Sequence, residues 1–335
     1  MILQNNNMRI LITGCAGFIG YHTSKFLLNK NYFVYGIDTL NNYYDVSLKQ
    51  NRLSQLKKYN NFFFFKIDIS NKNQIDNFFN KKKIDLIINL AAYAGVQYSL
   101  KNPDIYFKTN EIGFYNLLEN AKIKKIKKII FASSSSVSGS NNIKIFSEKN
   151  ATDSPISLYA ATKKNNEILA HFYATNYKIR IIGLRFFTVY GPWGRPDLSI
   201  FKFADAINGN KTVTLNNNGK HYRDFTYIDD VVTAIHKLIK LRNFSKKDQK
   251  SNLYYQIFNM GSGQKIQITK IVEILQKLFK KKAIIKMGPL KKGDIIFSKS
   301  STQKLFRNIN YVPKTKISLG MKKFFNWFKI YYSTN

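Results

Sequence analysis

The chain has 335 residues, enough to bury a substantial core and to form two domains or one domain with a large appended lobe. Its 54 Lys and Arg against 19 Asp and Glu give a formal net charge of +35, and its single cysteine, Cys15, excludes a disulfide framework and a thiolate metal cluster. No segment has the pattern of a signal peptide or reaches the ~18 apolar residues of a membrane span, so we expect a cytoplasmic location and no membrane partner. We expect no metal, because the four His are scattered and no H-E-x-x-H or C-x-x-C motif is present.

The positive charge has two interpretations. A nucleic-acid-binding protein is expected to carry a continuous basic stripe, whereas the lysines here form short separated runs such as Lys81–Lys83, Lys124–Lys128 and Lys280–Lys282. We therefore expect a solvated cationic surface that attracts small anionic substrates, and no nucleic-acid partner.

From residue 8 onward, short apolar β-branched runs alternate with longer helical patterns. This alternation predicts an α/β fold with a doubly wound parallel sheet of the Rossmann type. The predicted strands are Arg9–Thr13, Phe33–Ile37, Phe62–Ile67, Leu86–Leu90, Lys128–Ala132 and Arg180–Phe186. The predicted helices, with apolar residues at three- and four-residue spacing, are Ile19–Asn29, Gln74–Phe79, Ile105–Ala121 and Leu158–Asn176.

After Phe187 the sequence changes to loops rich in Gly and Pro, which indicates a smaller C-terminal substrate-binding lobe. A helical pattern over Phe225–Leu241 and a strand-like run over Tyr255–Asn259 suggest that the chain returns to the first sheet. We expect a first domain of residues 8–187 plus about 225–262, and a second lobe of about 188–224 plus 263–335.

A glycine-rich turn joins the first predicted strand to the first predicted helix. Gly14, Gly17 and Gly20 have the G-x-x-G-x-x-G spacing found in short-chain dehydrogenases, with Phe18 and Ile19 between the last two glycines. Glycines there allow a tight turn, close approach of a pyrophosphate to the helix N-terminus and close packing of helix against strand. The loop predicts a dinucleotide site, although a purely structural turn has the same composition.

A carboxylate, Asp38, follows the second predicted strand. In that position it can accept hydrogen bonds from adenosine ribose hydroxyls and repel a 2′-phosphate, and no Arg or Lys lies in Ile37–Leu40. The expected cofactor is therefore NAD rather than NADP. The alternative role for Asp38 is to cap the turn.

Tyr159 and Lys163 lie four residues apart on one face of a predicted helix. A phenol has an ordinary pKa near ~10, but a nearby ammonium and a positively charged nicotinamide favour the phenolate, which is a base for redox chemistry. The run Ser133–Ser136 ends the fifth predicted strand at the carboxyl edge of the sheet, where a hydroxyl can share a substrate proton. Their order along the chain favours a catalytic constellation over an ordinary helix and a polar loop.

These residues resemble the extended short-chain dehydrogenase/reductase family of nucleotide-sugar epimerases, dehydratases and decarboxylases, from about Met8 to Tyr332. Within that family three long segments look like those of UDP-glucuronate 4-epimerases: Asn41–Lys49, Ser157–Lys164 and Gly183–Asp197. The resemblance implies that the first domain binds NAD and that the C-terminal lobe binds a nucleotide sugar.

The resemblance also implies a role for each matching residue. Tyr159 is then the acid and base, Lys163 tunes it and holds the nicotinamide ribose, and Ser134 and Ser136 bind the reacting hydroxyl. Further NAD-site positions are Asn41, Asp68, Ile69, Leu90, Ala91, Ala92 and Asn110. Positions for the substrate are Thr188 and Arg195 for a sugar carboxylate, Arg223 for the diphosphate and Asp294 for the uridine ribose. A guanidinium suits a carboxylate because it offers paired donors to two oxygens.

The implied reaction is oxidation of a UDP-sugar at C4, rotation of the 4-keto sugar in its pocket and return of the hydride to the opposite face. A keto intermediate from a uronic acid is prone to lose CO₂, and Thr188 and Arg195 are the candidates for holding its carboxylate. The resemblance further implies a homodimer built from the helical stretches 103–121 and 158–176, and use of the product in polysaccharide biosynthesis.

Two positions depart from the family pattern. Ser138 stands where relatives usually have Tyr, and Gln97 stands where they commonly have Arg. The first substitution removes an aromatic side chain expected at the pocket wall. Both bear on how the substrate fits more than on the class of reaction.

Several alternatives remain open at this point. A UDP-glucose or UDP-N-acetylglucosamine 4-epimerase lacks only the carboxylate contacts, and a UDP-glucuronate decarboxylase shares the substrate and the first step. A 4,6-dehydratase is disfavoured because Ser135 and Ser136, rather than Asp and Glu, follow Ser134. A different class is a non-catalytic dinucleotide-sensing or nucleic-acid-binding protein, against which Tyr159 and Lys163 argue.

Overall fold

The structure is a computed structural model that describes residues 8–139, 144–250, 252–291 and 293–333. Its centre is a seven-stranded parallel sheet in the order β3-β2-β1-β4-β5-β6-β11. The strands are β1 (Arg9–Thr13), β2 (Phe33–Asp38), β3 (Phe62–Lys66), β4 (Leu86–Asn89), β5 (Lys128–Ser134), β6 (Arg180–Phe186), β7 (Thr188–Tyr190), β8 (Thr212–Leu215), β9 (Tyr222–Arg223), β10 (Phe225–Tyr227), β11 (Tyr255–Met260), β12 (Ile266–Gln267) and β13 (Ile284–Met287).

Helices cover both faces of this sheet, and the α/β doubly wound fold expected from the sequence is confirmed. The α-helices are α1 (Phe18–Leu28), α2 (Val46–Leu56), α3 (Lys72–Lys81), α4 (Val96–Lys101), α5 (Pro103–Tyr106), α6 (Gly113–Ile123), α7 (Leu158–Tyr177), α8 (Ser199–Asn208), α9 (Ile228–Lys240), α10 (Lys246–Gln249), α11 (Ile268–Phe279), α12 (Gln303–Ile309) and α13 (Ile317–Ser333).

The direction of winding reverses between β1 and β4. The chain proceeds from β1 outward to β2 and β3, then returns to the other side of β1 for β4, β5 and β6. Ile10, Leu11 and Ile12 of β1 are fully buried because helices pack on both faces. Such a reversal leaves a crevice at the carboxyl ends of the strands, where ligands of open α/β sheets bind.

Two helical predictions differ from the structure, and helix α2 was missed. Helix α2 was not predicted, because its buried face includes Lys49 and Arg52 and so breaks the apolar pattern. The predicted helix Phe225–Leu241 was wrong at its start: Phe225–Tyr227 is a strand paired with β7, and the helix begins at Ile228, with acidic residues in its first turn. The predicted helix Ile105–Ala121 is divided by a π-helical turn over Phe107–Ile112.

The C-terminal lobe contains small sheets and a helical layer. Strand β8 pairs with β13 and β9 pairs with β12, while α11 packs against α8 and α13. Helix α9 packs on α1, and β11 extends the large sheet beside β6. Among the described residues no helix is long and apolar enough to span a membrane.

Candidate functional site

A cavity of about 1420 Å³ runs along the carboxyl edge of the sheet and into the C-terminal lobe. It brings together the sequence-predicted site residues except one. Those lining it are Gly14, Gly17, Phe18, Ile19, Gly20, Asp38, Asn41, Asp68, Ile69, Leu90, Ala91, Ala92, Ser134, Ser136, Tyr159, Lys163, Thr188, Arg195, Arg223 and Asp294.

The glycine loop forms one wall of this cavity, and its backbone is too close-packed for other residues. Gly14 has φ +69°, and a Cβ there would lie 2.8 Å from the backbone nitrogen of Ala91. A Cβ on Gly20 would lie 2.0 Å from the carbonyl oxygen of Gly14. Helix α1 begins after Gly17, which provides no side-chain cap, so its first amide groups are available to an anion. This cradle fits a pyrophosphate.

Asp38 caps its turn, which is one of the two roles considered for it. One carboxylate oxygen accepts a hydrogen bond of 3.0 Å from the Ala16 amide and the other accepts one of 2.8 Å from the Leu40 amide. The residue also lines the cavity, and carboxylate oxygens can accept more than one hydrogen bond each. The nearby Lys49, which sequence analysis missed, donates to the Asn41 carbonyl and side chain at 2.6 Å each. Burial lowers the pKa of Lys49 to about 8.

Tyr159 and Lys163 face the cavity from α7, which begins where the Ser157 side chain accepts a hydrogen bond from the Ala160 amide. Burial raises the pKa of the Tyr159 phenol, while a hydrogen bond with Ser134 and the positive charge of Arg195 act in the opposite direction. Burial lowers the pKa of Lys163 to about 7. The expected lowering of the Tyr159 pKa therefore requires a further positive charge, such as that of an oxidised nicotinamide.

Hydrogen bonds fix the serine run against the same helix. Lys163 Nζ donates to the Ala132 carbonyl at 2.9 Å, and the Ser136 amide donates to Ser134 Oγ at 3.1 Å. Glu167, one turn beyond Lys163, accepts a hydrogen bond of 2.5 Å from Ser133 Oγ and pairs with the buried Arg185 at 2.7 Å. The ion pair joins α7 to β6 and the Ser133 hydrogen bond joins α7 to β5, so the helix that carries Tyr159 is tied to the strand that carries Ser134.

Another part of the cavity carries the guanidinium of Arg195. Arg195 forms a bidentate ion pair with Asp197, with Nε–Oδ1 at 2.9 Å and Nη2–Oδ2 at 2.5 Å, and Tyr43 donates to Asp197 at 3.2 Å. Burial disfavours the charge on both groups, but Asp197 raises the pKa of Arg195 and Arg195 lowers that of Asp197. The acid lies two residues from Arg195 inside a segment already singled out, yet its pairing was not foreseen.

Arg223 and Asp294 lie at the far end of the cavity, in the C-terminal lobe. Arg223 Nη1 donates to the carbonyls of Tyr222 and Ile296 at 3.1 and 3.2 Å. Burial lowers the pKa of Arg223, and the charge of Asp294 opposes this. The next residue, Asp224, is fully buried and accepts hydrogen bonds from surrounding amides and hydroxyls, so Arg223 projects from a rigid backbone.

Asn110 does not line the cavity. Its side chain accepts a hydrogen bond of 2.9 Å from the Tyr93 amide and donates to the Tyr93 carbonyl at 3.0 Å and to Thr162 at 3.1 Å. The Asn110 side chain therefore fixes the backbone of Tyr93, the residue that follows Ala92. Of the two departures from the family pattern, Gln97 lines the cavity, whereas Ser138 is buried and does not.

Aromatic side chains that were not assigned individually also face the cavity. Tyr43 and Tyr98 have ring centroids 4.9 Å apart, and Tyr93 lies 5.7 Å from Tyr43. The available signal was that Tyr43 lies inside the matched segment Asn41–Lys49 and that Tyr93 follows the matched position Ala92. In the part of the chain that the structure describes, no group of three or more His, Cys, Asp or Glu has the geometry of a metal site.

Comparison with protein families matches residues 10–261 of the chain to the NAD dependent epimerase/dehydratase family. Protein CapI of Staphylococcus aureus is 42% identical over 333 residues, which are 97% of this chain and 99% of that protein. The UDP-glucuronate 4-epimerase of Thermodesulfobacterium geofontis is 41% identical over 320 residues, covering 95% of each.

Among solved structures, the chain is similar to the UDP-glucuronic acid 4-epimerase of Bacillus cereus in complex with UDP-glucuronic acid and NAD. The two share 32% sequence identity and superpose with a TM-score of 0.88 over 97% of this chain and 100% of the other. The similarity thus extends over both the sheet and the C-terminal lobe.

Proposed function

The chain belongs to the NAD dependent epimerase/dehydratase family, and from this premise we propose that it converts UDP-glucuronate to UDP-galacturonate by NAD-dependent 4-epimerisation. Two of its relatives at high coverage carry that activity in their names, and one of them binds UDP-glucuronic acid and NAD. The residues of the cavity supply the acid, the base and the cationic contacts that this reaction needs.

The cofactor fits the glycine loop, because a Cβ at Gly14 or Gly20 would collide with the backbone that shapes the cradle. We assign Asp38 to the adenosine ribose and Lys163 to the nicotinamide ribose. When bound, NAD accepts a hydride from sugar C4 and returns it to the opposite face. Tyr159 takes the proton of the C4 hydroxyl and gives it back, and Ser134 shares that proton through its hydrogen bond with the phenol.

The observation that carries the proposal is that Arg195, Thr188 and Tyr159 line the same cavity. The charge of Arg195 also acts to lower the pKa of the phenol. A carboxylate at C5 of the sugar lies one carbon from the reacting C4, so its receptor must stand beside the acid-base group. We assign Arg195 and Thr188 to this carboxylate, where they also hold the keto acid intermediate in an orientation that disfavours loss of CO₂.

Incubation of the purified protein with UDP-glucuronate, followed by chromatography and mass spectrometry of the nucleotide sugars, tests the proposal. We expect UDP-galacturonate without net consumption of NAD. A UDP-pentose together with CO₂ would instead identify a decarboxylase, and absence of any turnover would support the non-catalytic alternative. Parallel incubation with UDP-glucose measures the preference for the uronate.

One observation favours a second candidate, a UDP-glucose 4-epimerase. Asp197 already compensates the charge of Arg195, so a neutral sugar meets a neutral pair. A higher kcat/KM for UDP-glucose than for UDP-glucuronate would support this candidate. Both candidates use the same proton transfer at Tyr159.

We also propose that two copies associate through the outer faces of α6 and α7, and that the protein is cytoplasmic. Four apolar side chains of the two helical stretches are 44–56% exposed: Phe107 and Tyr115 in residues 103–121, and Ile168 and Phe172 in α7. Helices α6 and α7 lie side by side. Such a continuous apolar face is typical of an interface. Light scattering is expected to give a dimer for the wild type and a monomer for Phe172→Asp, while Phe306→Asp, at an equally exposed phenylalanine of α12, is expected to remain dimeric.

A further inference from the structure

Arg52 of α2 is a fully buried arginine that bonds to neutral oxygens: backbone carbonyls on two separate loops and one tyrosine hydroxyl. Its Nη1 donates to the Ala16 carbonyl at 3.0 Å and to the Tyr44 hydroxyl at 2.7 Å. Its Nη2 donates to the carbonyls of Trp193 and Gly194 at 2.7 and 3.1 Å. No carboxylate in the described part of the chain bonds to this guanidinium.

Burying an arginine in this way is costly for folding. Arg52 stands at the helical position between the buried residues Leu48 and Leu56, where an apolar side chain would complete the stripe. Removing an ionised group from water costs several kcal/mol unless hydrogen bonds or an opposite charge compensate it. Here backbone carbonyl oxygens of two loops accept hydrogen bonds from the guanidinium. The buried charge is compensated only when both loops lie in the observed position.

Both loops belong to the cavity. Ala16 lies within the glycine loop, between Gly14 and Gly17, and its amide is held by Asp38. Trp193 has φ +59°, and Gly194 directly precedes Arg195.

The loop that carries Arg195 has a further contact with α1, the helix that follows the glycine loop, through the Pro192 carbonyl. This carbonyl lies 2.9 Å from His22 Nε2 on α1, and burial lowers the pKa of His22 to about 3, so the ring is neutral and its N–H is the donor. Three successive carbonyls before Arg195 are thus held by side chains of α1 and α2.

We propose that Arg52 is a positioning residue that ties the glycine loop to the loop carrying Arg195, so that one planar guanidinium sets both the cofactor cradle and the sugar-carboxylate contact. The part concerning the sugar rests on the proposed function, which makes the carboxylate the ligand of Arg195. A lysine at this position keeps the charge but lacks the planar fork that reaches both loops. Arg52→Lys therefore separates geometry from charge.

The test measures binding by calorimetry in NAD-loaded protein carrying Tyr159→Phe, which prevents turnover. Arg52→Lys is expected to raise the Kd for UDP-glucuronate about tenfold, as for loss of one charge-assisted hydrogen bond, and the Kd for UDP-glucose less than about twofold. With Arg195→Ala also present, Arg52→Lys is expected to leave the ratio of the two Kd values unchanged. Titration of the apo protein with NAD is expected to give a Kd raised about fivefold.

Arg9→Lys is the matched control. Arg9 lies at the amino end of β1, away from the cavity, and pairs with Asp85 at 3.1 Å, so the same substitution there is expected to change none of these constants. Equal weakening of both sugars by Arg52→Lys, or a change of the ratio that persists without Arg195, would show a merely structural role and overturn the proposal.

The two proposals fail separately. If the parent protein does not prefer UDP-glucuronate over UDP-glucose, the proposed substrate is wrong. The positioning role is then decided by NAD: an Arg52→Lys protein with the NAD affinity of Arg9→Lys would overturn it. A selective loss of NAD affinity at an unchanged melting temperature would support it.

Discussion

The two halves of the cavity are built by different means. In the cofactor half, the glycine loop and Asp38 lie within residues 9–38, and this part is shaped by backbone contacts: the amides of Gly14 and Cys15 both donate to the Ile37 carbonyl, at 2.7 and 3.2 Å. The sugar half combines Thr188 and Arg195, seven residues apart, with Arg223 from a later segment, and side-chain contacts from Arg52 and Asp197 hold the loop that carries Arg195. A short sequence motif can reveal a site that is made from local backbone. A site that is made from side chains of separate segments becomes apparent only in the folded structure.

The largest expected effect tests whether proton transfer can be abolished without weakening the binding of NAD or of the nucleotide sugar. Tyr159→Phe removes the proton donor and acceptor but leaves the ring in place, so we expect kcat to fall ~10³-fold. The affinities for NAD and UDP-glucuronate are expected to stay within about twofold. Steady-state kinetics and calorimetry measure these quantities, and a kcat close to that of the wild type would show that another group transfers the proton.

Much of the fold was predictable because the sheet is regular. Strands β1 and β6 have the predicted bounds, Arg9–Thr13 and Arg180–Phe186, since a parallel strand buried on both faces is a continuous apolar run. Helix α2 was not predictable in this way because its buried face uses Arg52 as a long-range donor. The start of α9 was misplaced because Phe225–Tyr227 forms a strand only through its pairing with β7.

The candidate site divides in the same way. The glycine spacing, Asp38, Tyr159 and Lys163 follow from motifs whose geometry is local. The pairing of Arg195 with Asp197 and the carbonyl contacts of Arg52 depend on side-chain conformations and on segments far apart in sequence, so composition and spacing do not reveal them. The hydrogen bonds of Asn110 to the Tyr93 backbone were likewise not foreseen, because they join segments 17 residues apart.

The second prediction concerns a substitution that disrupts the glycine loop of the cofactor half. Gly20→Ala places a methyl group 2.0 Å from the Gly14 carbonyl, and fitting a carbon into packed backbone costs about 1–3 kcal/mol. We expect the Kd for NAD to rise roughly 100-fold and the melting temperature to fall.

Gly209→Ala is the control for this change. A Cβ at Gly209 meets its nearest neighbours at 3.3 Å, one of them the flexible end of Lys211, so NAD affinity is expected to stay as in the wild type. Unaltered NAD binding by Gly20→Ala would mean that the loop has room to rearrange and that the backbone does not define the cradle.

The third prediction concerns pH and Lys163, which we assign to the nicotinamide ribose. Burial lowers the pKa of Lys163 to about 7 in the folded protein, whereas in the unfolded chain it is near ~10.4. Between these values the unfolded state binds the extra proton, so this group makes the free energy of unfolding rise with pH, by about 2 kcal/mol from pH 7 to pH 9. Below about pH 7 the group is protonated in both states and its contribution no longer changes.

Denaturant unfolding of the apo protein at the two pH values checks the linkage. Lys163→Met is expected to lose this rise, whereas Lys164→Met, at the neighbouring and more exposed position, is expected to keep it. A slope that is the same in Lys163→Met and the wild type would mean that Lys163 stays protonated inside the folded protein.

The smallest expected effect concerns how Asp197 moderates the charge of Arg195 in the sugar half. Asp197→Asn removes the charge that compensates Arg195 and keeps an oxygen that accepts from Tyr43, so the guanidinium attracts a sugar carboxylate more strongly. We expect the Kd for UDP-glucuronate to fall about fivefold and that for UDP-glucose to stay unchanged. Asp205→Asn makes the same change of charge at an exposed acid of α8 and controls for net charge. Weaker binding of the uronate by Asp197→Asn would show that Asp197 serves to orient Arg195 rather than to moderate its charge.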